Sequence, residues 1–299
     1  MKRWQADLIL LLVALIWGSA FAVQRVAGRS MDPFTFNGLR FLRGGVLIFL
    51  FSRMIKKNQK LPENVTPRHV IEVWLYICLA GGLLFGAGGL QQAGLETTTA
   101  GNAGFNTSLY VVIVPIFLAV FWKQRVHWTI WVAAGLAVLG SLLLSTGGTL
   151  KLSDGDVLEL AGAVFWALHV ILVGRAMQKH NVLSFSAGQY LVAGVFNLVA
   201  SMLTRQSWEG LREAWWTVIY IGLLSTAIGY TLQVFGQKTA PAADAAIILS
   251  MEAVFAAFTG YIFLDEGLIP VQVIGCVIIL GAILLAQIRL KAPENAKIS

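Results

Sequence analysis

Glu252 sits in the middle of an apolar, small-residue-rich run from Pro241 to Leu264. A run of that length can cross a bilayer core of roughly 30 Å. A carboxylate at that depth costs at least about 2–3 kcal/mol unless it faces a partner or water. Two roles fit it: a site for a proton or a substrate amine, or a structural carboxylate bonded to a neighbouring helix or paired with an arginine. Arg40 and Arg43 lie one helical turn apart in another apolar run and point to similar faces. A guanidinium fork there suits an anionic group such as a carboxylate; a helix-to-helix anchor or snorkelling toward the interface is the alternative. His169, three residues after Trp166, is placed to relay protons or to bond as a neutral ring across helices.

Polar side chains recur around these groups. Asn102, Asn106 and Tyr110 repeat every four residues and stripe one helix face. Tyr230, Gln233 and Gln237 share a face, and Gln91-Gln92 ends a glycine-rich run. Polar stripes inside a membrane must meet another helix or a water-filled cavity. With Trp17 and Trp166 they predict a mid-depth cavity with aromatic walls and a few directional polar groups, suited to a small amphiphilic metabolite.

The elements that must position these residues are long and apolar. The 299 residues are 57% hydrophobic and only 12% charged, against about 25% charged in soluble chains. Several runs of 18 or more apolar residues favour spanning helices over a barrel. Ten segments are expected, at approximately 7–27, 34–54, 70–91, 101–121, 127–146, 156–177, 183–203, 214–235, 241–263 and 269–289. Lys2, Arg3 and the run Leu8–Ile16 mimic a cleavable signal peptide. Removal would delete half of the internal repeat described below, so the run is taken as the first span.

Of 22 lysines and arginines, fifteen fall on the side of the N-terminus and five on the other, with Arg40 and Arg43 inside a span. Positive charge inside places both termini in the cytoplasm of a multi-pass cytoplasmic-membrane protein. The net charge of +7 therefore marks topology, not a nucleic-acid surface. Cys78 and Cys276 lie in apolar runs without CxxC spacing and read as small core residues.

An offset of 149 residues pairs Asp7 with Asp156, Leu11 with Leu160, Trp17 with Trp166, Phe36 with Phe185 and Gly45 with Gly194. Later it shrinks to about 141, where Leu139-Gly140 meets Leu280-Gly281. The expected fold is an all-α integral membrane protein of ten transmembrane helices in two inverted five-helix repeats, residues 1–146 and 147–299. An odd number of spans per repeat inverts the second copy, which is the physical basis of alternating access.

Leu15-Ile16-Trp17-Gly18-Ser19, Leu39-Arg40-Phe41, and Ser250-Met251-Glu252-Ala253-Val254-Phe255-Ala256-Ala257 followed by Leu264-Asp265-Glu266 resemble the EamA-type carriers of the drug/metabolite transporter superfamily. The likeness covers nearly the whole chain. Ala253 stands where the family has a proline, and Lys123-Gln124-Arg125 replaces an acidic helix end, so the fourth helix is expected to end differently from the ninth. The resemblance implies a central site between spans 1, 3, 4, 6, 8 and 9. It makes Arg40, the family's arginine, an anchor or ion-pair partner of Glu252, and leaves Arg43 as the specificity candidate.

The substrate-binding set is therefore Trp17, Arg43, Gln92, Asn102, Asn106, Tyr110, Trp166, His169, Tyr230, Gln233 and Glu252. The partners expected are the bilayer, a small solute and protons coupled through Glu252, with facilitated diffusion as the simpler scheme. No phosphate loop, HExxH or GxSxG stands in the chain, so no cofactor, metal or enzymatic activity is expected. The predicted activity is export of an amino acid-like or drug-like metabolite; a lipid or lipid-linked sugar flippase is the alternative.

Overall fold

The computed structural model describes residues 1–56, 67–146, 153–265, 267 and 269–287. Lys57, Lys60, Lys151, Glu266, Arg289, Lys291 and Lys297 lie outside the described residues. All ten apolar segments are helical, and no strand occurs among the described residues. The helices are α1 (Arg3–Ala27), α2 (Pro33–Lys56), α3 (Pro67–Gly94), α4 (Ala100–Trp122), α5 (Trp128–Thr146), α6 (Asp154–Ala176), α7 (Val182–Leu203), α8 (Leu211–Gln237), α9 (Ala242–Leu264) and α10 (Pro270–Gln287). Eight are long and apolar enough to cross a membrane; α5 and α10 carry shorter apolar stretches, Trp128–Leu144 and Pro270–Leu285.

Local chemistry sets the ends. Pro33, Pro67 and Pro270 open their helices, where the missing N–H costs nothing. Thr99 caps α4 by accepting from the Asn102 N–H, and Asn181 caps α7 through the Ser184 N–H. Ser153 and Asp156 form a capping box on α6.

Two helices are broken at matching places. The Ser108 hydroxyl donates to the Phe105 carbonyl and α4 breaks at Leu109; the Ser250 hydroxyl donates to the Ile247 carbonyl and α9 breaks at Ser250-Met251. A serine that claims a carbonyl one turn back competes with the helix ladder there. Beyond each break, 13 residues run to a left-handed terminus, Lys123 (φ 51°) in α4 and Asp265 (φ 55°) in α9. The two helices thus end alike, contrary to expectation, because backbone geometry and not the charge of the last side chain sets the stop.

Packing follows a rule. α1 lies against α8 and α9, α6 against α3 and α4, α2 against α7 and α8, α3 against α7, α4 against α9, and α5 against α10. Advancing every label by five, and counting on from α1 after α10, exchanges the α1 contacts with those of α6 and α2–α8 with α3–α7, and returns α2–α7, α4–α9 and α5–α10 to themselves. Glycines let the helices approach: a methyl at Gly81 would meet Val192, and one at Gly86 would meet the Phe165 ring at 2.8 Å. Cys78 is exposed and Cys276 only partly covered. Cys78 is not a core residue, because it lies on an outward helix face beside Leu75 and Leu79, whereas Cys276 packs partly against the main core.

Candidate functional site

The walls of a central cavity come from α1, α2, α3, α4, α6, α8 and α9. Trp17, Phe21, Gln24, Arg40, Gln91, Thr107, Tyr110, Trp166, Ser225, Tyr230, Gln233 and Glu252 all reach it. Its volume is about 20 Å³, room for a single water. The predicted aromatic walls are present but closed on one another. Trp17 lies 4.7 Å from Tyr230 and 6.4 Å from Trp166, and Trp166 stacks on Tyr230 at 5.8 Å. Offset aromatic pairs of this kind attract by about 0.5–1.5 kcal/mol beyond their burial.

A ten-residue π-helical stretch of α8, Ile221–Tyr230, aims one backbone group inward. The Trp17 indole N–H donates to the Ser225 carbonyl at 3.3 Å. Gly229 gives the ring its place, since a methyl there would stand 2.8 Å from the indole nitrogen. Shorter π-bulges are frequent at functional sites.

An arginine and a glutamate share the cavity. Arg40 is 1% exposed; its Nε donates to Asn37 Oδ1 at 2.6 Å, and Asn37 Nδ2 in turn donates to the Gly88 carbonyl. The guanidinium stacks on Phe41 at 4.6 Å and faces the Tyr230 hydroxyl, while Nη2 is left without a hydrogen bond. Glu252 begins the second half of α9, just past its break, and faces the Tyr110 hydroxyl; its Oε1 also has no partner. The ion pairs among the described residues include neither Arg40 nor Glu252. A buried donor and a buried acceptor left open cost about 1–3 kcal/mol each, more when charged.

Arg40 and Arg43 exchange the roles drawn from sequence. Three residues advance a helix by about 300°, so Arg40 faces the cavity while Arg43 is exposed, its stem passing Gly222 of α8. The stripe Asn102, Asn106, Tyr110 divides at the α4 break. Tyr110 reaches the cavity, whereas Asn106 Nδ2 donates to Asp156 Oδ1 at 2.8 Å and Asn102 is half-buried outside the cavity wall. Gln92 Nε2 donates to the Gln24 carbonyl at 2.9 Å, beside the cavity and not on it. His169 shares a 2.9 Å hydrogen bond with Gln189 of α7 and sits behind Trp166 and Tyr230. Sequence reasoning missed Gln24, Ser225 and two carboxylates of α6. Asp156 accepts from Thr98, Asn106 and Ser153, and Glu159 accepts from the Thr107 hydroxyl at 2.9 Å.

A larger cavity, about 610 Å³, opens between the ends of α4, α6 and α8 and the starts of α5 and α9. Arg125, His127, Arg175 and Asp244 line it, so it lies at the end rich in lysine and arginine. Gln237 forms part of its floor, accepting from Gln233 at 3.0 Å and donating to the Val170 carbonyl at 2.9 Å. Gln233 and Val170 border the central cavity, so this pair of glutamines separates the two spaces. Asp32 and Glu96 stand at the other end of the bundle. Partial burial, with Asp32 nearby, pushes the Glu96 carboxyl above the usual carboxylate range.

Ten apolar helices around an amphiphilic centre, with a vestibule at one end, define a multi-pass membrane transporter of small metabolites. The EamA-like transporter family model matches residues 4–146 and 154–287, and the chain belongs to that family. It is 32% identical over 293 residues to an uncharacterized transporter of Archaeoglobus fulgidus, covering 96% of this chain and 87% of that protein. It is 33% identical over 180 residues to the threonine/homoserine exporter RhtA of Escherichia coli K12, covering 58% of this chain and 57% of that one. A solved crystal structure aligns with a TM-score of 0.76 over 96% of this chain and 97% of its own, at 19% identity, which shows the shared fold.

Proposed function

We propose that the protein exports a small amino acid-like zwitterion across the cytoplasmic membrane by alternating access. One observation carries this reading: the open Arg40 Nη2 and the open Glu252 Oε1 are buried in the wall of one aromatic cavity and do not neutralise each other. A carboxylate bound at Arg40 and an ammonium at Glu252 satisfy both at once, with Trp17, Trp166 and Tyr230 around the side chain. The centre must widen to take such a solute, and parting α1 and α6 from α8 widens it. All ten helices span the membrane in this reading, as inverted five-helix units, residues 1–146 and 147–299, with both termini cytoplasmic. The packing that maps onto itself on advancing five helices supports the exchange of the two halves, and the 610 Å³ vestibule then faces the cytoplasm, where an exporter loads.

Thermal-shift measurements on the purified protein test the reading, because a ligand at 100 times its Kd stabilises by about 2.7 kcal/mol. L-Threonine is expected to raise Tm, while its decarboxylated amine and its N-acetyl derivative do not. Arg40→Lys and Glu252→Gln should each weaken binding roughly 10- to 150-fold, the worth of one charge-assisted hydrogen bond. Equal shifts from the amine, the N-acetyl derivative and the zwitterion would refute it.

A further inference from the structure

Two carboxylates one turn apart on α6 have opposite surroundings. Asp156 accepts four hydrogen bonds: Thr98 and Asn106 donate to Oδ1, and the Ser153 N–H and hydroxyl to Oδ2. Glu159 accepts one, from Thr107 to Oε2, and its Oε1 has no partner although the residue is 0% exposed. Oε1 is pressed toward Gly94 of α3, where a methyl would stand 3.1 Å away. No ion pair among the described residues involves Glu159. The groups that act on it electrostatically from the surrounding helices are Asp156 on α6 and Glu252 on α9, both acidic. α3 offers Gln91 and α4 offers Thr107, both neutral, and α8 meets α6 farther along, through Tyr230 and Gln237. A charged carboxylate needs a cation or several hydrogen bonds to be held in such a place, and Glu159 has one hydrogen bond and, among the described residues, no cation.

We propose that Glu159 is a proton-binding site of this transporter. It holds a proton while α4 and α6 are closed over it, and passes the proton to water when Asp156 lets go of Thr98 and Asn106. The proposal rests on the alternating-access reading above and moves the coupling proton from Glu252, which is left to bind the substrate ammonium. Position supports it. Glu159 stands one turn inside the closed end that carries Asp32 and Glu96. Its Thr107 partner, which also accepts from Gln91 Nε2 at 3.2 Å, lines the central cavity. The occupancy of Glu159 is thereby linked to the cavity through one shared hydroxyl.

Infrared spectra of the reconstituted full chain at neutral pH read the proton directly. A protonated-carboxyl carbonyl band is expected in a Glu252→Gln background and is lost when Glu159→Gln is added; a band unchanged by that addition overturns the proposal. Should the double variant fold poorly, Thr107→Val in the otherwise native chain decides, because loss of its hydrogen bond shifts the band to higher wavenumber, and an unshifted band overturns it. In proteoliposomes, acid on the side bearing Glu96 should drive L-threonine to concentrate on that side by exchange, up to about tenfold per pH unit for one proton exchanged per threonine. Glu159→Gln should move threonine only downhill, and a variant that still concentrates it overturns the proposal. If threonine neither binds nor moves in the native chain, the substrate reading fails, and the infrared result alone settles Glu159.

Discussion

The contact of α1 with α9 and that of α6 with α4 occupy equivalent places, five helices apart, yet they are made of different chemistry. Between α1 and α9, Gly18 brings the backbones together, and the Thr259 hydroxyl, which donates within α9 to the Phe255 carbonyl at 2.9 Å, also lies 3.2 Å from the Gly18 carbonyl. Their outer ends are tied by Arg3, which bridges Asp7 at 2.7 Å and Asp244 at 2.8 Å beside the vestibule. Between α6 and α4 the tie is buried: Asp156 gathers Thr98 and Asn106, and Glu159 holds Thr107. At the offset of 149, Asp7 corresponds to Asp156, Leu10 to Glu159 and Gly18 to Ala167. One half closes with a partly exposed ion pair, the other with a buried network around two carboxylates. The second tie is the harder to break, because every polar group it frees must find water.

Removing the centre of the buried tie should have the largest effect. Asp156→Ala strands Thr98 and Asn106, and buried polar groups left open cost about 1–3 kcal/mol each. A loss of roughly 3 kcal/mol is expected, seen as a lowered Tm in detergent; a loss below about 1 kcal/mol would mean that this network does not hold the end shut. Gly18→Ala probes the other contact. A methyl there would stand 2.8 Å from the Glu252 carbonyl oxygen and 2.9 Å from the Ala256 nitrogen, so about 1–3 kcal/mol of overpacking is expected. Because the same shift pushes on Glu252, threonine binding by Gly18→Ala should weaken as well; unchanged binding would separate the α1–α9 contact from the site.

How much of this was legible follows from what each signal measures. Apolar runs report burial in lipid or core, so the ten helices could be read directly. Trp17, Tyr110, Trp166, Tyr230, Gln233 and Glu252 were found because a polar or aromatic side chain in such a run needs a partner, and all six border the cavity. The same rule applied to the run Asp154–Ala176 points to Glu159, which the search for repeats passed over because Leu10, its counterpart, is apolar. Arg40 and Arg43 look alike in one dimension and differ only by the turn of α2. The four-residue stripe of α4 assumes an unbroken helix, and Ser108 breaks it. The π-helical stretch of α8, which presents the Ser225 carbonyl to Trp17, has no signature in apolar spacing at all.

The smallest effect is expected at the exposed tie, and it sharpens the contrast most. Arg3 is one-third exposed, where screening and side-chain entropy leave an ion pair worth about 0.2–1 kcal/mol. Arg3→Ala should therefore lower Tm far less than Asp156→Ala, and added salt should narrow the gap between Arg3→Ala and the native chain, since a Debye length of about 8 Å at physiological salt screens charges open to water. Salt should leave the Asp156→Ala deficit unchanged, because its hydrogen bonds are out of reach of ions. A salt-dependent deficit at Asp156, or a salt-independent one at Arg3, would mean that water reaches the two ends in the opposite order to the one the packing indicates.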